Sequence, residues 1–186
     1  MSGAKQKQNI FLITGDIQGG KTSYLSELVD VLKKRSLSVG GFLAPGSFKS
    51  GERSGFKLLN LKTGVEMSMA STEETDAWEK FRRFWFNPDA FIQGRKWIQA
   101  CLEQQTDIVV IDEVGPMEIE GRGWFETLES LLGSSVPVQL WSVRENLTSE
   151  VMRRWKIPDS HIIHINDAAK SQTADLICGR VNSRIN

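Results

Sequence analysis

The stretch "IFLITGDIQGGKTSYL", from Ile10 to Leu25, constrains the fold more than any other part of this 186-residue chain. It joins a short apolar run to a glycine-rich turn, and the turn ends in Lys-Thr-Ser where leucines begin to recur at helical spacing. A strand, a tight glycine turn and a helix in direct succession are typical of a loop that wraps around phosphate groups. The stretch therefore predicts a phosphate-binding loop in an α/β protein.

Within this stretch, GDIQGGKT matches the pattern G-x-x-x-x-G-K-[ST] without a gap. We expect Gly15 to end the strand, and Gly19 and Gly20 to leave backbone N–H groups accessible to phosphate oxygens. Lys21 can reach the β- and γ-phosphates, and the hydroxyl of Thr22 can ligate Mg²⁺. The predicted nucleotide-contacting residues are Gly15, Asp16, Ile17, Gln18, Gly19, Gly20, Lys21, Thr22 and Ser23.

Two other interpretations of this loop fit the sequence less well. A chance match in a glycine-rich turn is less consistent with the apolar run before it and the amphipathic segment after it. A dinucleotide fingerprint, G-x-G-x-x-G, is excluded because Asp16 and Ile17 follow Gly15 and no second glycine falls at the required spacing.

A second motif, "DIVVIDEVGPMEIEG", supplies the carboxylates that a phosphate site needs. Ile108–Ile111 is a buried strand in this interpretation, and Asp112 follows at its carboxyl end, where open α/β sheets bind ligands. Asp112 can hold Mg²⁺ through water, and Glu113 can orient or deprotonate an attacking water. Glu118 and Glu120 are further candidates. The alternative is a solvated acidic turn without a function.

The remaining pattern alternates between apolar runs and helical spacing. Strands are predicted at Ile10–Thr14, Val39–Leu43, Asp107–Ile111, Val138–Val143 and Ile162–Ile165, and helices at Lys21–Lys34, Gly123–Leu132, Thr148–Trp155 and Ala168–Ile177. Residues 75–104 are predicted to be mostly helical, with a break at Asn87-Pro88. Buried strands separated by helices favour a three-layer α/β fold with a central, mostly parallel sheet.

A glycine- and serine-rich loop and a predicted β-hairpin interrupt this alternation. The loop reads "APGSFKSGERSG", and Thr63-Gly64 in the following "FKLLNLKTGVEMSMA" lies between two short strand candidates. We therefore expect an insertion at about residues 44–70. The whole chain, residues 1–186, has a length that suits one domain.

Composition narrows the classes of function. Lys plus Arg and Asp plus Glu both count 23, so a broad nucleic-acid-binding surface is not indicated. "MSGAKQKQN" lacks the apolar region of a secretory signal, and no run approaches the ~20 apolar residues of a membrane span. Cys101 and Cys178 lack metal-ligand spacing and are expected to be free thiols. These features predict a cytoplasmic protein.

Several further residues are candidates for the site or for an interaction surface. Arg144 and Arg53 could stabilise charge on a transferring phosphoryl group, or could simply be solvated. The aromatic residues in question are Trp78, Phe81, Phe84, Trp85 and Trp97. They could stack on a base. More often such a segment belongs to the core or to an interaction surface, and residues 78–97 could then bind a protein partner or a second copy of the chain. His161 and His164 are placed on opposite faces of a strand and lack a ligand cluster.

The chain resembles the thermophile- and animal-type nucleoside-triphosphatase family in four places. "TGDIQGGKTS" matches its phosphate loop, and "VVIDEVGPMEI" is similar to its acidic motif. "VGGFLAPGSFKSGERSGFKLLNL" resembles a segment in which Gly-Gly-Phe leads to G-x-R-x-G-F, here Gly51, Arg53, Gly55 and Phe56. "VQLWSVR" resembles a strand that ends in an arginine in some members, here Arg144.

This resemblance implies a P-loop NTPase fold and Mg²⁺-dependent hydrolysis of nucleoside triphosphates such as ATP and GTP, with low base selectivity. The chain departs from the family pattern at three places. Ala44-Pro45-Gly46 stands where the family usually has Thr-x-Glu, Pro116 replaces a usual Lys, and Ala169-Lys170 replaces an Asn-Arg pair.

Two rival functions remain open from the sequence. In a nucleotide or small-molecule kinase the γ-phosphate would pass to an acceptor, and its sign would be a long arginine-rich lid, of which Arg82, Arg83 and Arg95 are a short version. In a nucleotide-dependent accessory protein, the triphosphate would set a conformation and turnover would be slow.

Overall fold

The computed structural model describes residues 9–167 and 169–185. The strands are β1 Ile10–Gly15, β2 Val39–Leu43, β3 Gly46–Lys49, β4 Glu52–Asn60, β5 Glu66–Ser71, β6 Glu79–Phe81, β7 Phe84–Phe86, β8 Ile108–Val114, β9 Val138–Arg144 and β10 Ile162–His164. The helices are α1 Lys21–Lys34, α2 Pro88–Glu103, α3 Pro116–Ile119, α4 Phe125–Leu132, α5 Thr148–Trp155 and α6 Lys170–Ile185. The prediction for the N-terminal segment concerns residues 1–8, and that for the start of the last helix concerns Ala168; both lie outside the described residues.

One mixed sheet carries the fold, in the order β10-β1-β9-β8-β2-β4-β5-β7-β6, with β3 paired to β4. The first five strands in this order run parallel to one another, and they are the five that apolar runs predict. The remaining strands pair antiparallel and extend the sheet at one edge. The α/β prediction with a mostly parallel central sheet is confirmed.

Helices cover both faces of the parallel strands, because successive strand residues point to opposite sides. Along β1, Ile10 and Leu12 enter one apolar core, and Phe11 and Ile13 enter the other. The first core takes side chains from α2, α4 and α5, and the second from α1 and α6. The parallel part of the sheet therefore forms the middle of three layers, between two layers of helices.

The predicted hairpin insertion is confirmed as β4 and β5. Gly64 has a φ of 71°, which only glycine adopts without strain, and its N–H donates to the carbonyl of Asn60 at 2.9 Å. This hairpin joins the parallel sheet through β2, whose Phe42 pairs with Asn60. The insertion is thus part of the central sheet and extends it toward the site described below.

The prediction of helix for the first part of residues 75–104 is wrong. Residues 79–86 form the short hairpin of β6 and β7, with Arg82 at a φ of 55° in its turn. Aromatic side chains at Phe81, Phe84 and Phe86 favour strand conformation, and the ring of Phe86 contacts those of the other two edge to face. Helix begins only after Asn87, whose side chain accepts the N–H of Asp89 at 3.0 Å.

Smaller differences concern the element ends and the histidines. The helix predicted from Gly123 begins at Phe125, and the last helix continues to Ile185. His161 lies in a 3₁₀ turn before β10 rather than in the strand, and its Nδ1 is 2.9 Å from the carbonyl oxygen of Ile10. Cys101 and Cys178 are free thiols. None of the described helices is both long enough and apolar enough to cross a membrane.

Candidate active site

The phosphate loop lies between β1 and α1, as the sequence predicts. Gly20 has a φ of 91° at the start of α1, and Gln18 a φ of 59°. The left-handed conformation at Gly20 costs little because glycine has no Cβ. The N–H of Gly19 donates to the carbonyl of Asp16 at 3.0 Å, which closes the turn. All residues from Asp16 to Gly20 are exposed, so the loop presents its backbone to solvent at the N-terminus of α1.

Lys21 is the buried cation of this loop. Its side chain is folded back over the turn, with Nζ 3.1 Å from the carbonyl oxygen of Gly15 and 2.6 Å from that of Asp16. Burial lowers the pKa of Lys21, and the negative charge of Glu113 acts in the opposite direction. The ammonium group is therefore held at the loop, close enough to Glu113 on β8 for their charges to interact.

Asp112 lies at the same edge of the sheet, because β9 is the only strand between β1 and β8. Its carboxylate is fully buried and accepts three hydrogen bonds. The backbone N–H of Ala44 donates to Oδ2 at 2.9 Å, and that of Glu113 to Oδ1 at 3.0 Å. The hydroxyl of Ser142, on β9, donates to Oδ1 as well. These bonds fix the carboxylate and leave one of its four acceptor positions for another partner.

Glu113 occupies an irregular point of the sheet. The pairing of β8 with β9 shifts register between Ile111 and Val114, and Glu113 has a φ of 61°. Bulges and left-handed non-glycine residues recur next to active sites, where they redirect a side chain. Burial, and next the charge of Asp112, raise the pKa of Glu113. A carboxylate with a raised pKa is a better proton acceptor near neutral pH.

Two arginines flank Glu113. Arg144 Nη2 is 3.7 Å from Glu113 Oε2, and Arg53 Nη1 is 3.8 Å from Oε1. Arg144 ends β9 beside Gly15 of the loop, whereas Arg53 comes from the inserted strand β4. The guanidinium of Arg53 also lies over the ring of Phe56, 4.9 Å from its centroid. The structure thus brings both sequence-predicted arginines to the carboxylate.

The residues predicted to hold a metal fit Mg²⁺ by their chemistry. Thr22 is half-buried and Ser23 exposed on the first turn of α1, and Asp112 has an acceptor position left over. Hydroxyl and carboxylate oxygens are the hard ligands that Mg²⁺ prefers, completed by water and phosphate oxygens. Residues 9–167 and 169–185 contain no group of three or more His, Cys, Asp or Glu arranged for a metal. A Mg²⁺ site here would therefore rely on the nucleotide for part of its ligands.

Glu118 and Glu120 differ in position and in contacts. Glu120 is exposed, with Oε1 3.8 Å from Arg82 Nη2. Glu118 is buried, and its two oxygens accept the N–H of Gly115 at 2.8 Å and of Trp124 at 3.0 Å. It therefore closes the loop around the short helix α3, which begins three residues after Glu113. Glu118 acts as a positioning residue for this loop.

Glu118 should make stability depend on pH. Burial raises its pKa from 4.5 to about 7, so the folded protein favours the protonated carboxyl group. The resulting stabilisation is fully present below the unfolded-state pKa and is lost as pH rises through about 7. Between the unfolded-state pKa of 4.5 and about pH 7, we expect the free energy of unfolding of the wild type to fall, relative to that of Glu118→Gln, by up to roughly 3 kcal/mol. Urea denaturation at several pH values measures it, and parallel pH profiles for the two proteins would contradict the expectation.

Two of the family departures lie against the site. Ala44 supplies the N–H that binds Asp112, and a Cβ at Gly46 would come 3.0 Å from Arg53 Nε. Gly46 therefore makes room for the guanidinium group that reaches Glu113. Pro116 occupies the first turn of α3. At the third departure, Lys170 Nζ is 2.6 Å from Glu27 Oε2, on the face of α1 and α6.

Ser142 is the residue of the site that sequence reasoning missed. It is fully buried in β9, where it donates to Asp112 and accepts the N–H of Glu113 at 2.8 Å. The signal was a polar residue inside the apolar run "VQLWSV", in a strand next to the one that carries Asp112. A buried hydroxyl needs a partner, and the neighbouring carboxylate is the nearest charged one.

Comparison with known proteins agrees with this geometry. A family model described as NTPase matches residues 10–178. The nucleoside-triphosphatase THEP1 of Archaeoglobus fulgidus is 30% identical over 148 residues, covering 78% of this chain and 85% of that protein. The nucleoside-triphosphatase THEP1 of Sulfolobus acidocaldarius is 26% identical over 174 residues, covering 94% of each chain.

Two solved structures share the fold. The solution structure of a human cancer-related nucleoside triphosphatase has a TM-score of 0.63 at 20% identity and covers 95% of this chain and 97% of its own. The crystal structure of THEP1 from Aquifex aeolicus has a TM-score of 0.66 at 17% identity and covers 90% of this chain and 98% of its own. Since the family model spans most of the chain and the phosphate loop and acidic strand end lie together at one sheet edge, the chain belongs to the NTPase family of P-loop nucleoside-triphosphatases.

Proposed function

We propose that this NTPase hydrolyses nucleoside triphosphates with Mg²⁺ and low base selectivity, and that Glu113 directs the attacking water. The observation that carries the proposal is the position of Glu113. Its carboxylate lies between two arginines, and its charge interacts with that of the buried Lys21. All of these groups lie at the edge of the sheet that carries the phosphate loop. A proton acceptor surrounded by cations at that place suits attack on a terminal phosphate.

In the proposed reaction, the loop amides and Lys21 bind the β- and γ-phosphates. Thr22 and, through water, Asp112 would hold Mg²⁺, which when bound neutralises charge on the β- and γ-oxygens. Glu113 accepts a proton from a water whose oxygen forms a bond to the γ-phosphorus. The bond from that phosphorus to the β–γ bridging oxygen breaks, and the products are a nucleoside diphosphate and phosphate.

Arg144 and Arg53 have two roles in this proposal. Before the reaction, their guanidinium nitrogens lie 3.7 and 3.8 Å from the carboxylate oxygens of Glu113. These distances are longer than those of close hydrogen-bonded ion pairs. As negative charge moves to the phosphate oxygens, the same guanidinium groups can stabilise it. Burial raises the pKa of Glu113, and the charges of both arginines act in the opposite direction.

Phosphate release from a panel of ATP, GTP, CTP and UTP tests the proposal. We expect turnover of all four with kcat/KM values within about tenfold of each other, since the contacts proposed here concern the triphosphate alone. Addition of EDTA should lower the rate by at least about 10²-fold, with recovery on excess Mg²⁺. Full activity in EDTA would contradict the metal part of the proposal, and turnover of a single nucleotide would contradict the low selectivity.

The expected compartment and partners stay predictions. Two free thiols, Cys101 and Cys178, fit a reducing compartment such as the cytoplasm. In the aromatic segment 78–97, Phe81, Phe84 and Phe86 line a cavity described below, and Trp97 packs against the core. A protein partner or self-association through this segment would therefore rely on its remaining exposed residues.

A further inference from the structure

A cavity of about 510 Å³ lies beside Glu113. It is lined by the half-buried Glu113, Arg53 and Arg144, which we call its inner end, and by the exposed phosphate-loop residues Ile17 and Gln18, which form part of its rim. Hydrolysis requires space for one water, about 30 Å³, next to the phosphate. Small-molecule sites in proteins have volumes of ~300–1,000 Å³. The cavity is thus much larger than hydrolysis requires, and it has the size of a ligand site.

The walls of this cavity are aromatic. Phe84 and Phe56 meet edge to face with their centroids 5.2 Å apart, and Phe91 lies 4.7 Å from Trp124. These rings come from the inserted hairpin, the β6–β7 hairpin, α2 and the segment before α4. Aromatic walls with a few placed polar groups are typical of sites for flat organic molecules. The two hairpins that depart from plain helix-strand alternation therefore serve to enclose this space.

The charges that line the cavity favour an anion. Glu118 has both oxygens bonded to backbone N–H groups, and Glu113 already faces two arginines. At the outer end, Arg83 lies over the ring of Phe84 at 4.7 Å and forms no ion pair within the described residues. An exposed arginine on an aromatic ring can bind a carboxylate, sulfonate or phosphate.

The inner end offers a different group. Arg53 Nε is buried and has no hydrogen-bond partner among the described residues. A buried N–H without a partner is costly, and such donors in native structures are commonly satisfied by water or a ligand. A hydroxyl or carbonyl oxygen on a bound molecule would satisfy it. The cavity therefore has an exposed cation at its mouth, rings along its walls and a buried guanidinium N–H without a partner near Glu113.

We propose that this cavity binds a second small molecule, an aromatic anion whose ring lies against Phe84 and Phe56. Its charged group lies at Arg83, and a hydroxyl or carbonyl group at its other end lies near Arg53. A molecule in this position occupies the space beside Glu113 from which water attacks, so it slows hydrolysis. This last step rests on the proposed function, whereas the binding itself does not.

Fluorescence titration with 6-hydroxy-2-naphthoate tests the binding, because this probe carries a carboxylate and a hydroxyl at opposite ends of a flat ring system. We expect one saturable site in the full-length protein, an increase in Kd of about tenfold in Arg83→Gln, and a several-fold increase in Phe84→Leu. The matched control is Arg180→Gln, on exposed α6 at the other face of the sheet. Thermal unfolding of each variant shows whether it is folded.

Three results would overturn the proposal. The first is a titration that does not saturate, and the second is a Kd that is the same in wild type, Arg83→Gln and Phe84→Leu. The third is displacement of the probe by adenosine or guanosine, because the cavity would then be the site of the nucleotide base. With hydrolysis as readout, we expect the probe to lower kcat several-fold while KM for the triphosphate changes less than twofold. A purely competitive pattern would contradict this position of the ligand.

Failure of the proposed function is distinguishable from failure of this inference. If the wild-type protein released no phosphate from any triphosphate, the fluorescence titration would still decide whether the cavity binds an aromatic anion. Conversely, a hydrolytically active protein without a saturable site for the probe would retain the proposed function and lose the second ligand. Lys21→Ala is expected to bind the probe as wild type does, since Lys21 does not line the cavity.

Discussion

Replacement of Glu113 by Gln is expected to lower kcat by about 10²–10⁴-fold while triphosphate binding is retained. The amide has nearly the same shape as the carboxylate but does not accept a proton from water. Binding should persist because the loop amides and Lys21, rather than Glu113, contact the phosphates in the proposed arrangement. Affinity should rise slightly, since the substitution removes a negative charge between Arg53 and Arg144.

Single-turnover phosphate release, with nucleotide binding measured separately on the same preparation, separates these two effects. The matched control is Glu120→Gln, since Glu120 is an exposed glutamate of the same segment with a long ion pair to Arg82. It should keep kcat within about twofold, because exposed pairs contribute little. An unchanged rate in Glu113→Gln would remove this residue from the mechanism.

Replacement of Lys21 by Ala is expected to weaken triphosphate binding by at least about 10²-fold. The ammonium group makes charge-assisted contacts with phosphate oxygens, each worth roughly 1.5–3 kcal/mol. The fold should tolerate the change, because burial already disfavours this charge and because Asp16, one of the two residues whose carbonyl groups accept from Lys21, is exposed. Lys21→Ala thus removes binding, in contrast to Glu113→Gln, which removes turnover.

Equilibrium dialysis with radiolabelled triphosphate measures the loss, and circular dichroism shows that the protein is folded. Lys34→Ala is the matched control, since Lys34 is an exposed lysine in the last turn of the same helix α1. Its affinity should equal that of wild type. Tight binding by folded Lys21→Ala would mean that the triphosphate does not lie in the loop as proposed.

The positions of the loop and of the acidic strand end could be predicted because each is encoded locally. A strand, a glycine turn and a helix within Ile10–Lys34 leave one arrangement of the loop. Parallel strands then bring Asp112 to the same edge, since carboxyl ends of parallel strands share an edge of the sheet. Neither inference required knowledge of contacts that are distant in sequence.

Other parts of the site depend on such distant contacts. Ser142 and Ala44 reach Asp112 from β9 and from the end of β2, 30 and 68 residues away in sequence. Arg53 reaches Glu113 because the inserted strand β4 pairs antiparallel with β2, and no local pattern determines that pairing. Arg53 is a candidate from the sequence alone, whereas the contacts of Ser142 and Ala44 with Asp112 are not predicted. Only the tertiary fold brings these residues together.

The aromatic segment was mispredicted for a different reason. Residues 78–86 contain aromatic and charged residues that occur in amphipathic helices as well as in short strands. What decides in favour of strands is the turn at Arg82, with its positive φ, and the packing of Phe84 on Phe56 of the insertion. Tertiary packing outweighed the local preference, and it also created the cavity beside Glu113.

Hydrolysis in ¹⁸O-labelled water measures the central claim most directly, because it reports which phosphorus atom forms the bond to the water oxygen. Under single-turnover conditions, with phosphate and nucleoside diphosphate analysed separately by mass spectrometry, the account predicts one labelled oxygen in the released phosphate and none in the diphosphate. Label in the diphosphate and none in the phosphate would mean attack at the β-phosphorus, and this result would contradict the account.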